Sequence, residues 1–155
     1  MHSGRYCGIM NMAIEGAVLA TASVDYAIHV WDMNFKKELW KIPGLGASCG
    51  GTCLRINNGR VISARLNMNT KVWEAHTGKL KSSLPPLAGW DIDINPRGTW
   101  LAVPDKNKLQ IWSLESYNKC AEIVLAAEIG NVRFQTDGKI VVELYNGEAH
   151  LITFS

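Results

Sequence analysis

Four strand-ending aromatics recur at nearly one spacing: Trp31, Trp73, Trp112 and Phe154 stand 42, 39 and 42 residues apart. Glycines that mark a turn ahead of them, Gly16, Gly59, Gly98 and Gly138, step by 43, 39 and 40. A third series, Met12, Ile56, Ile94 and Phe134, precedes each glycine by four residues, or by three in the second unit. Three marker series with a period near 40 constrain a chain of 155 residues to four copies of one supersecondary unit.

The unit is spelled most clearly over residues 16–32, GAVLATASVDYAIHVWD. Val18, Ala20 and Ala22 alternate with Leu19, Thr21 and Ser23, the period of a strand. Val24-Asp25-Tyr26 interrupts the run, and Ile28, Val30 and Asp32 then alternate with His29 and Trp31. Turn residues divide the first three units into four strands each, and the fourth into three. Lys37, Lys41, Lys79, Lys81 and Lys119 fall on the expected outer strands, where a charge discourages unwanted strand pairing. The period and strand count predict an all-β chain of propeller-type sheets. The expected sheets span about 5–42, 51–83, 89–125 and 130–155, all in one domain, 1–155.

The chain resembles the WD-repeat β-propeller family. The residues that carry the resemblance are ATASVDYAIHVWD at 20–32, SARLNMNTKVWE at 63–74, AVPDKNKLQIWS at 102–113 and the degenerate VELYNGEAHLITFS at 142–155. The first unit follows the family pattern, with Asp25 six residues before Trp31 and Asp32 after it. The second has Asn67 and Glu74 at those places, the third Asp105 and Ser113, and the fourth ends Phe154-Ser155. The resemblance implies a structural group in which Asp25, a hydroxyl of Ser23 or Thr21, and Trp31 are hydrogen-bonded. Trp73 and Trp112 are the corresponding structural residues of later units. His2 lies near the family's histidine position, but the Gly-His pair is absent.

The resemblance also implies seven or eight blades in a closed ring. Four blades, the last without its outer strand, predict an open stack or one completed by another chain. Three arrangements remain open: the C-terminal part of a longer propeller, a product that has lost its N-terminal half, or two copies joined as an eight-blade ring. An open stack leaves apolar sheet faces exposed, which drives association.

Catalytic signatures are missing. His2, His29, His76 and His150 form no metal-ligand spacing, and neither a nucleophile elbow nor a phosphate loop occurs. Asp91 and Asp93 alternate on one strand and point the same way, but no histidine accompanies them. Cys7, Cys49, Cys53 and Cys120 match neither a disulfide framework nor a zinc site. No catalytic residue, metal ligand or cofactor is therefore expected, and the chain is not read as an enzyme. No apolar run reaches the length of a membrane span and the N-terminus lacks a signal-peptide core, so an intracellular chain, cytoplasmic or nuclear, is expected.

The expected function is that of a protein-interaction scaffold whose loops meet protein partners. Those loops lie at 42–51, 83–89 and 125–130 and at the turns joining second to third strands. Arg65, Trp90 and Arg133 lie near that end and are the candidate partner-binding residues, since Trp and Arg are enriched at anchoring points. The alternative is a reader of nucleic acid or phospho-ligands through Arg65, Arg97, Arg133 and nearby lysines. A formal net charge of +2 argues against it.

Overall fold

A computed structural model of the chain describes residues 9–23, 27–43, 52–65, 67–86 and 91–153. The alternating runs become strands throughout, gathered into four antiparallel sheets in chain order. The first sheet holds β1 (Ile9–Glu15), β2 (Val18–Ser23), β3 (Ile28–Asp32) and β4 (Lys37–Ile42). The second holds β5 (Thr52–Asn57), β6 (Arg60–Arg65), β7 (Met68–Glu74) and β8 (Leu80–Pro86). The third holds β9 (Asp93–Ile94), β10 (Trp100–Asp105), β11 (Lys108–Ser113) and β12 (Lys119–Val124). The fourth has three strands: β13 (Ile129–Phe134), β14 (Lys139–Leu144) and β15 (Ala149–Thr153). This is the all-β, propeller-type architecture read from the repeat.

Successive sheets meet through their first strands: β1 packs on β5, β5 on β9, and β9 on β13. Side chains alternate across each sheet, so every sheet has a face toward its predecessor and a face toward its successor. Register fixes which residues share a face. On the predecessor side run Ile14–Leu19–Trp31, Ile56–Val61–Trp73, Ile94–Leu101–Trp112 and Phe134–Ile140–Ile152. On the successor side run Ala13–Ala20–Val30–Trp40, Arg55–Ile62–Val72–Ser82, Asp93–Ala102–Ile111–Ala121 and Arg133–Val141–Leu151. These rows correct two marker series. Ile14, not Met12, is the first-unit equivalent of Ile56. In the fourth unit Ile152, not Phe154, completes the row, and Phe154 lies outside the described residues. The two-residue turn at Gly16 is shorter than those at Gly98 and Gly138, which shifts the count from the glycine.

Each pair of facing rows makes one core. Ala20, Ile28 and Val30 pack on Leu54, Val61 and Trp73. Ile62, Val72 and Leu84 pack on Ile92, Leu101 and Leu114. Leu109 and Ile111 pack on Val132, Ile140 and Val142. At ~25 cal/mol per Å² of apolar surface removed from water, these facing rows supply the main attraction between sheets.

The residue after each Trp has one job in three chemical guises. Asp32 Oδ1 accepts from the N–H groups of Asn34 and Phe35 at 2.9 and 3.2 Å. The Glu74 carboxylate accepts from His76 N–H at 3.3 Å and Thr77 N–H at 3.0 Å. Ser113 Oγ accepts from Glu115 N–H and Ser116 N–H at 3.2 and 3.1 Å. Each side chain thereby caps the turn into the outer strand. The turns share a left-handed residue as well: Lys36 (φ 50°), Gly78 (φ 70°) and Tyr117 (φ 58°). What reads in the sequence as two departures from the Trp-Asp pair is a conserved geometry built from different acceptors.

Candidate interaction surface

The first strands bring charge to the inside of the stack. Asp91, just ahead of β9, is buried among groups from three sheets. Its Oδ1 accepts from Arg55 Nη2 at 2.8 Å, from Ile92 N–H at 3.0 Å and from the Cys53 thiol at 3.4 Å. Its Oδ2 accepts from Arg133 Nη1. Asp93 takes Arg55 Nε on Oδ1 at 3.2 Å and Phe134 N–H on Oδ2 at 2.8 Å. Two arginines and two aspartates cancel, so the group ties the second, third and fourth sheets together without offering net charge to a ligand. Burial pushes the Cys53 thiol up to about 11, with Arg55 opposing and Asp91 adding to the rise. A thiol held that high is a packing group, not a nucleophile.

The candidate partner residues fall in different places. Arg65 is 4 % exposed at the end of β6, beside a register shift between Ser63 and Arg65, so it is a buried residue and not a displayed one. Val61 to Arg65 are buried in succession because β6 is covered on both faces, by the first sheet and by the third, and nearness to the loops did not reveal this. Arg133 keeps its side chain 55 % exposed, but its guanidinium is committed to Asp91 and to its neighbour's carbonyl, Val132 O, at 2.6 Å. Trp90 lies outside the described residues, as does Asp25. Of the three arginines in the nucleic-acid alternative, Arg97 alone is exposed with a guanidinium that bonds no described residue.

The tryptophans find acceptors within their own sheets. Trp31 Nε1 donates to Thr21 Oγ1 at 3.4 Å, and Trp73 Nε1 to Ser63 Oγ at 2.9 Å. In the third sheet Val103 occupies the corresponding place and has no hydroxyl. Trp112 Nε1 donates instead to Gln110 Oε1 at 3.1 Å, and Gln110 Nε2 donates to Asp105 Oδ2 at 3.2 Å. Ser23 uses its backbone N–H on Ala27 O at 3.1 Å, and the hydroxyl that Trp31 reaches belongs to Thr21.

One rim of the stack carries the turns between first and second strands, and the sheets are stitched there turn to turn. Glu15 accepts from Asn58 N–H and Gly59 N–H at 2.8 and 3.0 Å. Asn58 Nδ2 donates to Arg97 O at 2.9 Å, and Arg60 Nη1 to Gly98 O at 3.1 Å. Between the third and fourth sheets the place of such a stitch is a cleft of about 390 Å³. Trp100 and Phe134 are among its walls, with Arg97 and Asp137 exposed on opposite sides. The Asp137 carboxyl is held below the usual carboxylate range by Lys139, whose Nζ lies 2.5 Å away. The Arg97 guanidinium bonds no described residue. Sequence reading placed interaction on the opposite rim. The signal for this one was Asn95-Pro96-Arg97-Gly98 followed by Trp100: a tight turn that projects an arginine beside an aromatic.

Among the described residues no group of His, Cys, Asp and Glu is placed to hold a metal ion, and no helix is long and apolar enough to cross a membrane. No family model and no curated protein matches the sequence. Solved structures do match. The computationally designed Ika4 protein, in its crystal structure, superposes with a TM-score of 0.77 at 15 % identity, covering 99 % of this chain and 95 % of that one. A chain in the crystal structure of the Mitotic Checkpoint Complex superposes with a TM-score of 0.77 at 13 % identity, covering 99 % of this chain and 50 % of that one. The chain thus spans about half the length of the second. At these identities the shared property is the fold: antiparallel sheets set side by side as in a β-propeller.

Proposed function

We propose that the chain is a WD-repeat-type interaction scaffold that binds protein partners and performs no chemistry of its own. The observation that carries this reading is the cleft between the third and fourth sheets. A cation at Arg97 beside the aromatic walls of Trp100 and Phe134 suits an acidic residue next to an apolar one in a partner's peptide segment. The Trp-to-hydroxyl bonds of Trp31 and Trp73 and the capped turn after each Trp support the family reading. Likeness in fold to a chain of the Mitotic Checkpoint Complex, a multi-protein assembly, supports a life among protein partners. Asp91 and Asp93 are occupied as ion-pair acceptors and the Cys53 thiol is inert, which supports a non-catalytic role. Free thiols at Cys53 and Cys120 suit a reducing, intracellular compartment.

Panning a peptide-display library against the folded protein tests the reading. Enrichment of acidic-apolar peptides that lose binding to Arg97→Glu and Trp100→Ala variants is the expected result. Enrichment indifferent to both substitutions, or none above that on unfolded protein, would remove the cleft from consideration. Strong binding of single-stranded nucleic acid with a steep salt dependence would favour the alternative reading.

A further inference from the structure

The row Ile14–Leu19–Trp31 has the same register as the rows built on Ile56, Ile94 and Phe134. Those three are packed against a preceding sheet. In the first sheet Ile14 is 64 % exposed, its neighbour Met12 is 62 % exposed, and Leu19 and Trp31 line a shallow, mainly apolar hollow of about 450 Å³. At the other end, Arg133–Val141–Leu151 stands in the register of rows that elsewhere receive a following sheet, and Leu151 is 59 % exposed. The first and fourth sheets form no interface with each other comparable to those between neighbours among the described residues. Among the described residues, therefore, one socket is unfilled and one plug unused of an interface that the chain makes three times internally.

We propose that these two faces are filled by a second copy of the chain: the fourth sheet of each copy packs on the first sheet of the other, giving a closed ring of eight sheets. The occupant follows from the repeat itself. What covers a Trp row in every internal case is the successor face of a sheet of this kind, and this chain carries such a face uncovered. Contact between unlike faces closes only when the rotation is right. Propeller rings hold about four to eight sheets, and two copies are the multiple that stays inside that range while satisfying both ends. Beside the uncovered row of the fourth sheet lie the exposed Glu143 and Asn131, which bond each other at 2.8 Å, as befits the hydrated margin of such a contact.

Light scattering on the purified 155-residue chain reads the outcome directly. The expected mass is twice the 17.1 kDa of one chain. Ile14→Glu and Leu151→Glu, at positions exposed in the single chain, each reduce it to one copy with the strand signature in circular dichroism intact. Mixing the two variants restores a two-copy mass, because one unmodified plug then meets one unmodified socket. A monomeric parent chain, or growth beyond two copies, would overturn the proposal. So would insensitivity to Leu151→Glu, since that outcome means that two first sheets meet face to face.

Discussion

The first and second sheets are held together differently from the second and third, although the same two rows face each other in both. In the first interface the position matching Arg55 is Ala13. The inner strand contributes Asn11 Oδ1, which accepts from Leu54 N–H at 3.4 Å, and the Glu15 stitch at the rim, and a further anchor stands at the outside. Trp40 on β4 donates to Ala75 O at 2.7 Å and lies 6.1 Å from the Trp73 ring at a tilt of 40°. Gly78 makes room for it: a Cβ there would stand 2.8 Å from Trp40 Cγ, on a backbone with φ of 70°. In the second interface the axial position is Arg55, and the binding charge lies inside, on Asp91 and Asp93. Its outer strand has Ser82 where the first has Trp40. The repeat thus specifies where sheets meet, while each contact is free to place its polar anchor at the hub or at the edge.

Removing the hub anchor is expected to have the largest effect. Asp91→Ala leaves Arg133 without its carboxylate and Arg55 with one of its two, and is expected to cost about 3 kcal/mol in denaturant unfolding. An ion pair removed on both sides behaves differently from one broken on one side. The fourfold change Arg55→Met, Asp91→Leu, Asp93→Asn and Arg133→Met, which removes every partner of the network, is therefore expected to cost less than Asp91→Ala alone. Equal losses would mean that the hub acts through packing and not through charge. Removing the edge anchor comes next. Trp40→Ala deletes a half-buried ring and its bond to Ala75, at about 2 kcal/mol. The two losses should add, since the residues share no partner. Strong coupling between them in a double-mutant cycle would show that the anchors belong to one cooperative network.

The Trp rows and the turn glycines were within reach of sequence reading; the hub, and the Trp40 anchor at the edge, whose counterpart in the second unit is Ser82, were not. Trp row and turn glycine recur at fixed separations because both are local features of one unit, so the repeat displays them. Arg55, Asp91, Asp93 and Arg133 are brought together from three units, and in the sequence each looks like the solvated half of an alternating strand. Arg65 deceived in the opposite direction, because it ends a strand that neighbouring sheets cover on both faces, so that Val61 to Arg65 are all buried. The capped turns show a third kind of illegibility. Asp32, Glu74 and Ser113 differ as letters but agree in offering an oxygen to two backbone N–H groups, and only the geometry reveals the equivalence. Register was blurred where turn length changed, as at Gly16.

Those caps provide the finest test of the difference between the interfaces. Glu74 begins the turn that holds Ala75 O, the acceptor gripped by Trp40, whereas the corresponding cap of the next sheet, Ser113, carries no charge. The Glu74 carboxyl is held below its ordinary range first by the Thr77 hydroxyl at 2.5 Å, with burial opposing and the His76 and Thr77 N–H groups adding to the fall. A carboxyl whose folded value is depressed stabilises the fold above its unfolded value, and that contribution is lost as pH falls through the folded one. Glu74→Gln is therefore expected to lower the melting temperature slightly near neutral pH, with the deficit vanishing as pH falls below the ordinary carboxylate range and the parent protonates. Glu122 and Asp137 are depressed too, by their lysine neighbours, but they titrate identically in both proteins and cancel in the difference. If the deficit persists unchanged at low pH, the charge on Glu74 is not what orders the turn.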